Sequence, residues 1–317
     1  PWTHTEYRRK VVWTGNQLRD LGADIVGLEE LWHAQAIADV LREVNLDDDY
    51  DVLSAPATGE RIVCAALVRK GLLRGDPVWI DRFPEAMMLR STEDDPDAPG
   101  IAVNLAGFSR PVLAFDVALR ERPPLTRVYV AHFKSKRPVR IDEEPWFNAD
   151  PATYRTHAPA LGSALATIRR TAEATALRII LNETMKGTVT PTIVLGDLND
   201  GHHSNTLNIV TGQPRYLVGE SRGGGDTALY SAQSLQEYRD SRDVYYTHVH
   251  DDHRESLDHV LVSEQFYDNS LRRVWLFDGL IVNNDHLNDT DDFAHKAAGS
   301  SDHGPVRVRF RYRPARE

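Results

Sequence analysis

The sequence is short of cysteine, of long apolar runs and of positive charge, and each shortage excludes a class of protein. Cys64 is the single cysteine among 317 residues, so an intrachain disulfide and a zinc site made of cysteines are excluded. No apolar run approaches the roughly 18 residues of a membrane-spanning helix. The formal net charge of −10 argues against a general nucleic-acid coat, while a local basic groove or a divalent-cation site remains compatible with it.

The composition nevertheless favours one large folded domain. Hydrophobic residues make up 41% and charged residues 26% of the chain, which allows a sizeable core. No internal repeat, low-complexity linker or domain boundary stands out, so we expect a single domain over residues 1–317. The N-terminal residues show no signal-peptide pattern, and there is no cysteine pair. Both features favour a cytoplasmic location, with secretion through a leader outside this sequence as the alternative.

The stretch from Thr192 to Gly201 is the clearest candidate for a functional strand end. Pro191 precedes a run of apolar and β-branched residues, which predicts a short buried strand. Gly196 lets the backbone tighten, and Asp197 and Asn199 follow. These residue types also favour turns, so the stretch alone is compatible with either a structural turn or a catalytic site.

Two adjacent carboxylates follow another candidate strand, which we predict from Ala23 to Leu28. Glu29 and Glu30 would be costly to bury without a counter-charge. They are explained either as surface charge before the next helix or, for one of them, as a ligand of a divalent cation.

A histidine and a basic segment follow the strand predicted from Arg127 to Ala131. His132 is compatible with a hydrogen-bonded packing role or with a catalytic one. Lys134, Lys136 and Arg137 form a basic cluster that is unusual in an acidic protein. The cluster is either a solvated loop or a set of phosphate contacts.

Polar residues also border two predicted strands nearer the C-terminus. Asp258 lies near the start of a strand predicted from Ser256 to Val262, and a buried aspartate needs a partner. Asp302 and His303 precede an alternating strand from Val306 to Tyr312.

The longest predicted helix covers Gly162 to Thr184. Its apolar stripe runs through Leu165, Ile168 and Ala172 at helical spacing, and neighbouring charged residues fall outside the stripe. The segment from Ile141 to Ala158 has no clear period and contains prolines, so we predict a long loop there.

In this order, the strand ends resemble the endonuclease/exonuclease/phosphatase superfamily, which includes DNase-I-like nucleases, abasic-site endonucleases, bacterial sphingomyelinases and inositol-polyphosphate phosphatases. The resemblance runs from Ala23 to Phe310. It is carried by the segments DIVGLEEL, AHFKSK, VLGDLND, SLDHVLVS and SSDHGPV. It implies an α/β (α+β) fold, a four-layer sandwich of two packed, mixed and largely antiparallel β-sheets flanked by helices.

The resemblance implies a metal site, and the sequence departs from the family pattern there in two ways. Glu30 matches the metal-binding carboxylate and Asp302 lies beside the metal, so the implied cofactor is Mg²⁺ or Mn²⁺. The family begins with a strand bearing an asparagine that helps complete this site, and the sequence starts downstream of that strand. Either the strand lies upstream of this sequence, or the metal site is incomplete. Glu29 stands where the family usually has glutamine.

The resemblance also implies the catalytic groups. Asp197 and Asn199 would orient the attacking water and the phosphate. His303 would contact the scissile phosphate, with Asp258 holding its ring. His132 matches the second histidine of the DNase-I-like and sphingomyelinase branches.

The proton transfers can be divided among these groups as a hypothesis. Asp197 or a histidine would accept the proton of water, His303 would stabilise the charged transition state, and His132 would protonate the leaving group. Glu60, which precedes its own strand, is a candidate to orient the His132 ring. The basic cluster supplies candidate phosphate contacts.

The protein is predicted to be a divalent-metal-dependent hydrolase of phosphate esters. The leading prediction is a phosphodiesterase that acts on nucleic acid as a nuclease. One alternative is a phosphatase or phosphodiesterase for a small molecule or a phospholipid head group. The overall acidity and the loops Ser91 to Gly100 and Ile141 to Ala158 favour that alternative. A catalytically inactive binding module is the third possibility.

Overall fold

The protein is described by a computed structural model that covers residues 2–55, 58–92, 100–216, 227–242, 245–287 and 292–315. Most of the predicted loop Ser91 to Gly100 lies outside these ranges. The helices are α1 (His4–Leu21), α2 (Ala34–Glu43), α3 (Pro145–Ala149), α4 (Pro151–Tyr154), α5 (Ala158–Met185), α6 (Asn205–Thr211), α7 (Ala232–Glu237) and α8 (Asp292–Ala298).

The strands are short and most of them pair antiparallel. They are β1 (Ile25–His33), β2 (Tyr50–Ser54), β3 (Thr58–Arg69), β4 (Leu73–Arg82), β5 (Leu89–Arg90), β6 (Ala102–Val103), β7 (Gly107–Val117), β8 (Thr126–Val130), β9 (Thr192–Asp197), β10 (Tyr230–Ser231), β11 (His248–His250), β12 (His253–Glu255), β13 (Asp258–Val262), β14 (Trp275–Val282) and β15 (Val306–Tyr312).

The strands form two β layers. One layer is a six-stranded sheet in the order β10-β13-β9-β8-β7-β4, in which only the β8–β9 pair is parallel. The other layer contains the sheet β1-β3-β2 and the two-stranded sheet β14-β15. The pairing is therefore mixed and largely antiparallel, as the resemblance implies.

The two β layers pack face to face through an aliphatic core. Cys64 and Val68 of β3 belong to the same buried cluster as Leu113, Val130 and Phe277 of the other strands. Cys64 is 0% exposed, and burial raises the pKa of its thiol, as expected for an unreactive core residue. The resulting inter-sheet core fixes how the strand ends of the two layers meet.

Helices cover the outer faces of both layers. Residues such as Leu18 of α1 and Leu41 of α2 pack on Leu67 of β3. On the other side, Leu177 of α5 and Leu207 of α6 pack on the outer face of the six-stranded sheet. The layers run helix, sheet, sheet, helix, so the predicted four-layer sandwich is confirmed.

Two local expectations are wrong. The predicted loop Ile141 to Ala158 contains α3 and α4, because prolines are well tolerated at the first position of a helix. The predicted stripe of α5 is partly exposed, with Leu165 at 44% and Ile168 at 42%. Arg170 and Glu173 are buried on that helix instead, at 5% and 0% exposure.

A groove of about 1080 Å³ lies between β1 and β15. Within the described residues, β1 pairs with β3 alone and β15 with β14 alone, so each of them has one edge without a strand neighbour. Apolar side chains line much of the groove, and one end reaches Glu29, Asp258 and His303. None of the helices in the described ranges is long and apolar enough to cross a membrane.

Candidate active site

Parallel pairing of β8 and β9 brings His132 and Asp197 to the same sheet edge. The Ala131 amide donates to the Leu195 carbonyl at 3.0 Å, and the Phe133 amide donates to the Asp197 carbonyl at 3.1 Å. Gly196 makes this approach possible. Its φ is +145°, and a Cβ there would lie 1.9 Å from the Ala131 carbonyl oxygen.

Asn199 holds the carboxylate of Asp197 in a fixed orientation. The Asn199 amide N–H donates to Asp197 Oδ1 at 2.7 Å, and Nδ2 donates to Oδ2 at 2.9 Å and to the Phe133 carbonyl at 3.1 Å. Asn199 adopts a left-handed φ of +53° to do so. Burial, followed by the charge of Asp258, raises the pKa of Asp197 to about 7. The group is thus poised to exchange a proton near neutral pH.

Asp258 and His303 form a close ion pair opposite Asp197. Asp258 is the register partner of Asp197 across β13 and β9, and its Oδ2 lies 2.8 Å from His303 Nδ1. Burial alone would lower the pKa of His303, but the charge and hydrogen bond of Asp258 outweigh it and raise that pKa to about 10. Burial alone would raise the pKa of Asp258, but His303 holds it below its usual value. His303 is therefore an imidazolium at neutral pH.

The two carboxylates of β1 lie at a bulge, where the register with β3 shifts between Leu28 and Leu31. Glu29 is half-buried, and burial followed by the charges of Asp258 and Asp197 raises its pKa to about 8. Glu30 is exposed and has a left-handed φ of +59°. The residue at the glutamine position of the family pattern is thus the more buried of the two and lies near Asp258 and Asp197.

The candidate metal ligands, Glu30 and Asp302, are both exposed at the rim of the site. Both are near Lys10. Burial lowers the pKa of Lys10, while the charges of these two carboxylates act to raise it. The Lys10 ammonium also donates to the Ser300 carbonyl at 3.0 Å. Two carboxylates open to solvent suit a hard divalent cation such as Mg²⁺, so these residues fit the implied metal, although Lys10 is a competing positive charge.

His132 is buried, at 4% exposure, with its Nε2 3.5 Å from Asp197 Oδ2. Burial, and then the charges of Arg110 and His303, lower its pKa to about 3. A ring that is neutral at neutral pH does not fit the expected role of leaving-group acid. The ring contact shown is with Asp197, and Glu60 is exposed on β3, so the expected Glu60 contact is not observed.

A family model described as the Endonuclease/Exonuclease/phosphatase family matches residues 14–303. The chain belongs to this family. As a member, the protein is a hydrolase of phosphate esters. No curated protein matches the chain.

Solved structures of family proteins share the fold at low sequence identity. The human Nocturnin catalytic domain with bound sulfate is 15% identical, covers 96% of this chain and 86% of its own, and gives a TM-score of 0.53. A Bacteroides thetaiotaomicron mannosyl-6-phosphatase is 13% identical, and the match covers 96% of this chain and 92% of that one, with a TM-score of 0.53. D. rerio TDP2 complexed with single-strand DNA product is 13% identical, and the match covers 96% of this chain and 92% of that one, with a TM-score of 0.53. These likenesses support the DNase-I-like fold.

The basic segment of this family member is largely engaged with its own protein. Lys134 Nζ donates to the carbonyls of Ser135 and Arg137 at 3.1 and 2.9 Å. Lys136 Nζ lies 2.8 Å from both carboxylate oxygens of Glu255. Arg137 is exposed. The expected phosphate contacts of the two lysines would thus require these internal bonds to open.

A buried network on α5 supports this segment, and the sequence pattern missed it. Glu173 accepts from the backbone amides of Ser109 and Lys134, both at 2.7 Å. Arg170 donates to the Lys134 carbonyl at 3.2 Å and to Asp200 Oδ2 at 3.4 Å. The available sequence signal was the spacing of Arg170 and Glu173, which are three positions apart on the predicted helix. Their burial follows only from the strands packed against α5.

His248 is a further imidazole that sequence reasoning missed. Its ring centroid lies 4.8 Å from that of His303, with the ring planes at 41°. Burial lowers the pKa of His248. The alternating histidines around His248 were the available sequence signal. Their closeness to His303 depends on where β11 lies in the fold, which the sequence does not indicate.

Proposed function

We propose that the protein is a divalent-metal-dependent phosphodiesterase that acts as a nuclease. The observation that carries the proposal is the convergence of Asp197, Asn199, Asp258 and His303 from three separated segments of the chain at one edge of the sandwich. A carboxylate with a pKa of about 7 beside a fixed imidazolium suits the hydrolysis of an anionic ester.

The side chains divide the reaction as follows. Asp197, oriented by Asn199, accepts a proton from the attacking water as the water oxygen forms its bond to phosphorus. The bond from phosphorus to the leaving oxygen breaks, and that oxygen takes a proton from solvent water. His303, held by Asp258, donates a hydrogen bond to a phosphate oxygen and stabilises the negative charge that develops there. Glu30 and Asp302 hold a Mg²⁺ or Mn²⁺ ion, which supplies further neutralisation of the phosphate charge when bound.

Cleavage of plasmid and single-stranded DNA tests the proposal. We expect cleavage with Mg²⁺, loss of cleavage with EDTA, and a fall of about 10²-fold or more in Asp197→Asn, because the proton acceptor is removed. Asp47→Asn, which changes an exposed carboxylate on a turn, is the matched control and should cleave normally. Activity that survives both EDTA and Asp197→Asn would contradict the proposed mechanism.

Hydrolysis of a small phosphate ester or of a phospholipid head group is the second candidate. It is favoured by the internal bonds of Lys134 and Lys136, which leave less free positive charge beside the site for a polynucleotide. Turnover in a panel of such esters, with no cut in any nucleic acid, would support it. An inactive binding module would show no turnover and no heat of Mn²⁺ binding in calorimetry.

We also propose that the single domain includes one more strand, which lies in the groove between β1 and β15. Lys10, in the first half of α1, donates to the Ser300 carbonyl and is near Asp302, so this half of the helix lies near the site. β1 runs back toward the site at Glu29. A strand that precedes α1 could therefore lie parallel to β1, with α1 as the crossover helix that parallel pairing requires. It would join the two parts of this layer into one sheet.

A further inference from the structure

Three metal-binding side chains cluster at the mouth of the site. His248, Asp302 and His303 each offer one ligand atom, and these atoms lie within 4.8 Å of one another. The cluster shares Asp302 and His303 with the residues discussed above, but it does not include Glu30. His248 comes from β11, an element to which the family resemblance assigned no role.

The backbone holds the two histidines in place. His248 and His303 form an isolated antiparallel bridge, and the Gly304 amide donates to the Thr247 carbonyl at 2.7 Å. His286 Nε2 donates to the His303 carbonyl at 3.0 Å. The backbone positions of the two histidines are therefore fixed, and side-chain movement alone would bring the three donors to bonding distance of an ion.

Asp258 orients the His303 ring as carboxylates orient metal-binding histidines in other proteins. Its Oδ2 is bonded to Nδ1 at 2.8 Å, which leaves Nε2 as the ring nitrogen available to an ion. A carboxylate behind a ligating histidine fixes the tautomer and raises the basicity of the ligand. An ion at Nε2 would replace the proton there, and Asp258 would still accept from Nδ1.

The donor set selects the kind of ion. Two imidazole nitrogens and one carboxylate oxygen suit Zn²⁺ and similar transition metals, whereas Mg²⁺ prefers oxygen ligands alone. Three protein ligands with a fourth position open to solvent are typical of reactive zinc sites. Asp302 is exposed and the two histidines are half-buried, so such a position is accessible.

The surrounding charges favour a cation overall. Asp258 lies 2.8 Å from His303, Asp302 is the neighbour of His303 in the cluster, and Asp197 is the register partner of Asp258. Lys10, which is close to Asp302, acts against a second cation. Three carboxylates outweigh one ammonium at this position.

We propose that His248, Asp302 and His303 bind Zn²⁺, and that the bound ion takes His303 Nε2 away from the phosphate and inhibits hydrolysis. The binding part stands on the geometry of the three donors. The inhibitory part rests on the proposed function, because it assumes that His303 contacts the phosphate.

Competition with a chromogenic zinc chelator, in buffer with excess Mg²⁺ and no substrate, tests the binding part. We expect one Zn²⁺ per chain and at least tenfold weaker binding in His248→Ala. His253→Ala removes an exposed histidine from the same hairpin and should bind Zn²⁺ normally, as should Glu30→Gln. Equal affinity in His248→Ala and the unaltered protein, or an equal loss in Glu30→Gln, would overturn the proposal.

A second measurement covers the case in which His248→Ala is misfolded. Co²⁺ bound to the unaltered protein should give the strong visible absorption of a four-coordinate site, and added Zn²⁺ should remove it. Weak absorption, as from six oxygen ligands, would overturn the proposal without any variant.

Hydrolysis of bis(p-nitrophenyl) phosphate with Mg²⁺ tests the inhibitory part. We expect Zn²⁺ to inhibit the unaltered protein, and His248→Ala to need at least tenfold more Zn²⁺ for the same fractional inhibition. Zinc binding without inhibition would overturn the inhibitory part alone. If neither this ester nor DNA is hydrolysed, the proposed function fails, while the chelator and Co²⁺ measurements still decide the zinc site.

Discussion

At the scale of single residues, the site uses backbone conformations that side chains other than glycine rarely adopt. Glu30 and Asn199 have φ values of +59° and +53°, and each belongs to a different wall of the site. Such conformations cost of order 1–3 kcal/mol each and persist where the surrounding structure enforces them. Their position beside Asp197 and the rim carboxylates supports a functional reason for the strain.

Glu30→Gly should raise stability and lower activity. Glycine relieves the left-handed strain and removes a candidate metal ligand, so we expect unfolding free energy to rise by about 1 kcal/mol. Urea denaturation and DNA cleavage measure the two effects. Asn45→Gly is the control, since Asn45 is exposed with a φ of +57° and should gain stability without losing activity. A destabilised Glu30→Gly would show that its conformation is not strained.

Asp258→Asn should lower the pKa of His303 from about 10 toward its usual 6.5, because the negative charge beside Nδ1 is lost. The raised pKa stabilises the unaltered fold fully below pH 6.5, and this stabilisation is lost as pH rises through about 10. Asp258→Asn should therefore flatten the fall in unfolding free energy over this range and reduce hydrolysis about 10²-fold or more. An NMR titration of the His303 ring measures the pKa directly, and an unchanged value would refute the ion pair.

At the scale of elements, the sequence predicted strand ends better than helix faces. The segment before Asp197 was predicted correctly because apolar β-branched runs and a following glycine are local signals. The burial of Arg170 and Glu173 was not predicted, since it depends on the Ser109 and Lys134 backbone amides that fold against α5. His248 was missed for the same reason.

Glu173→Gln should destabilise the protein and slow hydrolysis. One carboxylate accepts two backbone N–H groups there, and an amide can accept only through its single oxygen, so a buried donor loses its partner at a cost of about 2 kcal/mol. Thermal unfolding and kcat measure the loss, since the shifted Lys134 backbone adjoins His132. Glu183→Gln, exposed on the same helix, should leave both unchanged. Normal stability in Glu173→Gln would contradict the network.

At the scale of the whole molecule, the resemblance predicted the four layers, which the fold confirms. Residue charge states were less predictable. The neutral state of His132 and the proton affinity of Glu29 follow from burial and from carboxylates that meet only after folding. The groove beside β1 is the place that we propose for the additional strand.

Hydrogen exchange tests the proposed additional strand. If an upstream segment lies in the groove, the amides of β1 and β15 that face it should exchange slowly, as paired strand amides do. The described strands alone leave these amides without strand partners, which predicts fast exchange. Exchange at the rate of the exposed turn at Gly187, measured in the same protein, would refute the strand.

The complete burial of Cys64 makes the protein convenient for fluorescence work. Since this is the chain's sole thiol and the core shields it, a maleimide dye should leave the folded protein unlabelled. A cysteine introduced on the β11–β12 hairpin would then carry a dye at a known place. Movements of that hairpin during turnover could be followed without first removing any native residue.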